Sequence, residues 1–271
     1  MKVSPRPALA LFAWIAYVVV FIGLFAALGV DYDEVGDSTG NAVKAIVIPV
    51  GAAVLVMVAL TSRWGWWRAV MRDHPVVGHR WMLVIPVLMA CGIVAGLANT
   101  DWGRLDAGLV IVLFGGCALV GFGEELLNRG LALVGLRGGL SETQAWLGSC
   151  GLFALLHAFN IVVGQGVGAT VKQIVFAFLV GSVFYATRRV TGLLAVAMIL
   201  HGFWDFSTFA ATSGTEDSAQ SAGSGGLLQF LFLVLAVVLA LIAMRRLVHI
   251  DPDTGEQADV PPAQTAAVAA A

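Results

Sequence analysis

The sequence predicts an all-α, polytopic membrane protein of about eight transmembrane helices, with both termini in the cytoplasm. Three observations predict it. Hydrophobic residues make up 59% of the chain and charged residues 12%, and the mean hydropathy is +0.90, which leaves too little polar surface for a soluble globule. The apolar residues gather into eight runs close to the ~20 residues a helix needs to cross a bilayer. The basic residues segregate. Of 15 Lys and Arg, all but Lys44, Arg104 and Lys172 fall on one side of these runs, which the positive-inside rule assigns to the cytoplasm. The other side carries the acidic loop Asp31-Tyr32-Asp33-Glu34 and the pair Glu216-Asp217.

The elements follow in order. The run 8–30, about 23 residues, exceeds a signal-peptide core and lacks an obvious cleavage site, so it is a retained helix. The next spans are 42–61 and 81–99. Between them Trp64, Trp66, Trp67 and Trp81 lie among arginines, the composition of an interfacial belt. The fourth run, 106–136, is long enough to protrude. Ser141-Glu142-Thr143-Gln144 has the form of a capping box and starts the span 143–163. Spans 170–188, 191–212 and 226–247 complete the set. The Ser/Gly/Ala-rich stretch 211–226 is expected as a flexible external loop. The tail 251–271, without an apolar face, is expected to be disordered.

Residues 1–250 therefore read as one integral membrane domain of a multi-pass cell-membrane protein. A net charge of -2 gives no reason to expect nucleic acid. Cys91, Cys117 and Cys150 lie in apolar spans without metal-binding spacing and read as buried free thiols. Gly51, Gly92, Gly96, Gly115, Gly116, Gly121 and Gly123 suggest close helix packing.

Ionisable groups inside the spans are few, and a charge at the bilayer centre costs ~2.5–3.5 kcal/mol or more. They are Glu124, Glu125, Arg129, His157, His201 and Asp205. Glu125 and Arg129 stand four apart in the favourable order for an ion pair, which leaves Glu124 without a local partner. At about 1.5 Å per residue, Glu124 lies roughly 20 Å from Gly138, His157 roughly 24 Å from Ser141 and His201 roughly 18 Å from Arg189. Three helices thus bring polar groups to one layer. Phe153 and His157 share a helix face, as do His201 and Asp205.

In this order, Glu124-Glu125-x-x-x-Arg129, Phe153-x-x-x-His157 and His201-x-x-x-Asp205 resemble the three motifs of the CPBP intramembrane protease family. That family includes type II CAAX prenyl endopeptidases and bacteriocin-processing and abortive-infection proteins. The resemblance covers about 105–210, the protease-like core. It implies an eight-span fold with a conical cavity open to the cytoplasm and to lipid. It implies an endopeptidase acting on a peptide or membrane-tethered protein, with Glu124 and His157 activating water and His201 with Asp205 stabilising the oxyanion. Glu125, Arg129 and Phe153 would support them. A water-poor cavity suits a glutamate as general base, and preorganised donors suit an oxyanion. The prenyl endopeptidases usually carry Asn where this chain has Asp205, which weakens the assignment of a CAAX substrate.

Glu124, His157, His201 and Asp205 are also donors that zinc accepts. The chain has no HExxH, and the metal-independent reading is favoured, a divalent metal such as zinc being the alternative cofactor. The same cluster could serve a non-proteolytic bacteriocin-immunity factor or a proton-coupled transporter, although no inverted repeat supports transport. Gly36-Asp37-Ser38-Thr39-Gly40 matches a nucleophile-elbow string without its strand. Gly121-Phe122-Gly123-Glu124 resembles an aspartyl-protease motif that would leave both histidines unexplained.

Overall fold

A computed structural model describes residues 1–76, 78–213 and 224–256. Among these residues eight helices are long and apolar enough to span a membrane: α1 (Pro7–Leu28), α2 (Thr39–Trp64), α3 (Arg80–Ala98), α4 (Ala107–Arg137), α5 (Glu142–Val163), α6 (Val167–Thr191), α7 (Leu194–Thr212) and α8 (Gly226–Leu247). Their boundaries have local causes. Pro7 opens α1, where its missing N–H costs nothing. Asp106 caps α4 by accepting from the backbone N–H groups of Gly108 and Leu109. The capping box at Ser141 forms in both directions with Gln144. Gly192, at φ +72°, ends α6 in a left-handed turn that other residues resist. Ser38, from the nucleophile-elbow string, caps α2 through the N–H of Asn41.

The outward faces are apolar: Leu55, Val94, Ile111 and Val171 are all exposed. In water such faces would be untenable, but lipid matches them. The chain is an integral, multi-pass membrane protein of the all-α class. The short helix Trp67–Met71 joins α2 to the segment before α3, and both described chain ends lie on this same terminal face.

Helices α4 and α7 approach closely. A Cβ on Gly121 would stand 2.4 Å from the Gly202 nitrogen, and one on Gly202 would stand 2.9 Å from the Cys117 carbonyl oxygen. The two backbones touch because both residues are glycine. Gly51 and Gly115 face open space instead, so the close-packing expectation fails there. Cys117 and Cys150 are buried and free, while Cys91 is half-buried.

Three expectations need correction. The tryptophan belt is partly core: Trp66 is wholly buried, its indole N–H donating to the Val3 carbonyl, and Trp64 packs beside it. Arg188 and Arg189, expected as interfacial charges, are also wholly buried. Their counter-charges are Asp73 and Glu142, with Arg137 completing the network. Residues 251–256, expected to open a disordered tail, form a turn against the Asp73–Pro75 segment, and the His74 N–H donates to the Pro252 carbonyl. The remaining tail, 257–271, and residues 214–223 of the expected loop, with Glu216 and Asp217, lie outside the described residues.

Candidate active site

The fourth span is a continuous helix only in outline. From Leu126 to Ala132 it widens into a π-helix, a rare form that concentrates at functional sites. The widening redirects backbone carbonyls, and side chains take them up. Asn128 donates through its amide to the Glu124 carbonyl at 2.8 Å, and the Ser149 hydroxyl donates to the Asn128 carbonyl at 2.8 Å. Arg188 donates to the Arg129 carbonyl. The acidic pair is thus held in a backbone fixed on both sides.

Within this frame the two glutamates part. Glu125 is wholly buried and bridges to Arg129 at 2.8 Å, as the four-residue spacing requires. The Arg129 guanidinium lies over the Phe153 ring, 4.2 Å from its centroid, a cation–π contact. Phe153 also meets the rings of His157 and His201 edge-on. One aromatic residue therefore positions members of all three motifs.

Glu124 turns to the other side. With His157 and Asp205 it lines a cavity of about 120 Å³ together with Tyr17, Asn160 and Gln173. A buried water needs ~10–15 Å³ on this scale, so several fit. His201 has carboxylates at both nitrogens. Nδ1 lies 3.2 Å from Glu125 Oε1, and Nε2 lies 3.5 Å from Asp205 Oδ2 and 3.9 Å from Glu124 Oε2. The Phe184 ring stacks on it at 4.7 Å. His157 Nδ1 lies 3.1 Å from the Phe153 carbonyl oxygen. A carbonyl only accepts, so Nδ1 carries a proton, and in the neutral ring Nε2 is then the acceptor.

All seven motif residues come together in one layer. Four participants carried no sequence motif: Tyr17, whose buried hydroxyl has no hydrogen-bond partner, Phe184, Asn160 and Gln173. Amide and phenol groups in apolar helices were the available signal, but one too common to single them out. The fit to a metal ion is poor. Among the described residues no group of three or more His, Cys, Asp or Glu is arranged to hold one, and both His201 nitrogens are already engaged by carboxylates.

Comparison with known proteins bears on this layer directly. Residues 106–207 match a family model described as Type II CAAX prenyl endopeptidase Rce1-like. No curated protein matches the chain. The matched segment contains all three motifs and supports a CPBP family protein.

Proposed function

We propose that the chain is an intramembrane endopeptidase in which Glu124 is the general base. The carrying observation is that Glu124, His157 and Asp205 line one cavity with room for several waters, while Glu125 is paired with Arg129. Glu124 removes a proton from a cavity water, whose oxygen attacks the peptide carbonyl carbon. His201, held at Nδ1 by Glu125, donates Nε2–H, whose nearest carboxylate is Asp205 at 3.5 Å, to the resulting oxyanion. Asp205 holds His201 in place, which accounts for an acid where an amide is usual. The proton then passes to the amide nitrogen, the C–N bond breaks, and the products are a carboxylate and an amine. His157, with Nδ1–H held by a carbonyl, orients the water through Nε2. Positioned groups of this kind typically contribute about 10²–10⁴-fold each.

The mechanism routes no step through a metal. Proteolysis that is lost with 1,10-phenanthroline and restored by zinc would contradict it. The substrate is a peptide bond of a membrane-associated or lipidated chain, as the matched family suggests. The test compares wild type with Glu124→Gln in native membranes by terminal proteomics. Peptides produced only by the wild type are expected. An identical peptide set from two folded proteins would favour a binding or immunity role instead.

A further inference from the structure

Tyr17 stands on α1, outside the segment 106–207 that matches the family model. Ala10 and Ala13, earlier on the same helix, are wholly buried. Their small side chains let α1 lie close against α4, where a Cβ on Gly135 would stand 2.9 Å from the Ala10 Cβ. Further along α1 the Tyr17 phenol reaches Gly123, the residue before Glu124. A Cβ on Gly123 would stand 3.8 Å from the Tyr17 hydroxyl oxygen. The side chain is only 1% exposed, and its ring packs against Phe21, with centroids 6.0 Å apart.

Two properties of this hydroxyl coincide. It is buried without a hydrogen-bond partner, and its residue lines the cavity of Glu124, His157 and Asp205. An unpaired buried hydroxyl is destabilising, and phenylalanine would fill the same volume without that cost. The other polar groups around the cavity have visible uses. Asn160 donates to Gln173 and Gln173 to the Tyr32 hydroxyl. His157 gives Nδ1–H to the Phe153 carbonyl, and Glu124 and Asp205, when ionised, only accept. The Tyr17 O–H is a donor without a use in the resting site.

The reaction supplies one. Glu124 takes one proton of the attacking water, and His157 Nε2 accepts from its other O–H. As the water oxygen bonds to the carbonyl carbon, the C=O π pair moves onto the carbonyl oxygen. His201 Nε2–H meets that oxyanion, but an ionised Asp205 cannot donate to it. Developing negative charge is best stabilised by several preorganised donors aimed at one point.

We propose that the Tyr17 O–H is a second donor to the oxyanion, which makes Tyr17 a catalytic residue supplied by α1. This deepens the protease reading and rests on it. The phenol keeps its proton throughout. It hydrogen-bonds to the oxyanion, while the proton held by Glu124 passes to the amide nitrogen as the C–N bond breaks.

Tyr17→Phe removes only the hydroxyl, and its test uses a peptide that the wild type cleaves. The expected kcat is lower by on the order of 10²-fold, the scale of one lost oxyanion donor. KM and the thermal unfolding temperature should match the wild type. The acid limb of kcat/KM against pH should also stay in place, because the base is unchanged. A wild-type kcat overturns the inference. So does a shifted acid limb, which would assign the hydroxyl to Glu124, and so does a loss that comes with a lower unfolding temperature and a raised KM. The two readings fail separately. An inactive Glu124→Gln beside a fully active Tyr17→Phe removes Tyr17 alone, whereas wild-type turnover by Glu124→Gln removes the protease mechanism itself.

Discussion

Among the described residues two charged clusters are buried, and they balance their charges in opposite ways. The terminal-face cluster sets three guanidinium groups, Arg137, Arg188 and Arg189, around two carboxylates, Asp73 and Glu142. Arg188 donates to Asp73 and to the Ala69 and Arg129 carbonyls, while Arg189 donates to Glu142 and to the Leu247 and Ile250 carbonyls. Arg137 takes both carboxylates, and the Tyr185 hydroxyl donates to Glu142 at 2.5 Å. The mid-depth cluster gathers Glu124, Glu125 and Asp205 around Arg129 and His201, and leaves Glu124 Oε2, Glu125 Oε2 and the Tyr17 hydroxyl without hydrogen-bond partners. Both adjoin cavities: Glu124 and Asp205 line one of about 120 Å³, and Asp73, Arg137 and Glu142 line one of about 530 Å³. The first ties five segments together, whereas the second retains polar capacity for something that enters. Burial of charge alone does not mark a site.

Breaking each cluster should therefore give a different phenotype. His157→Ala should lower turnover by about 10²–10⁴-fold with little change in thermal unfolding, measured as initial rate per folded molecule. Asp73→Ala should cost about 3–5 kcal/mol, because it strands buried guanidinium groups. Its turnover per folded molecule should stay at the wild-type rate, and a selective loss of rate would erase the distinction. Glu125→Gln lies in the mid-depth cluster but should affect stability as well as rate, since it loosens Arg129 and one His201 partner. A stability loss of about 1–3 kcal/mol is expected, together with a fall in rate. A fully stable and active variant would remove that ion pair from the account.

The smallest effect is on acid stability. Burial alone would raise the Asp73 carboxyl, but the guanidinium groups of Arg188 and Arg137 outweigh it and hold the group well below the usual carboxylate range. A depressed folded value means the stabilisation is complete above the unfolded value of about 3.9 and is lost as pH falls below it towards the folded one. Asp73→Asn should flatten the acid limb of a stability–pH curve. An unchanged limb would deny Asp73 that role.

The comparison also explains what could be read from the sequence. The spans were legible because lipid demands long apolar runs, and the structure moves most of their ends by only a few residues. Glu124, His157, His201 and Asp205 were legible because ionisable residues are conspicuous inside such runs. The Asp73 cluster was not. Arg188, Arg189 and Glu142 stand at helix ends, where charges are ordinarily solvated, and Asp73 meets them only through the tertiary fold. The π-helix was hidden as well, since its extra residue per turn depends on Ser149, Asn128 and Arg188 taking its carbonyls. Trp66 was misread because an indole among arginines looks interfacial until the chain's own N-terminus covers it.

The most direct test of the division is to purify wild type and Glu124→Gln in the same detergent and measure thermal unfolding and peptide turnover on the same samples. Equal unfolding temperatures with turnover reduced at least a hundredfold are predicted, since positioned acid–base groups contribute about 10²–10⁴-fold. Wild-type turnover by a folded Glu124→Gln protein would contradict the account.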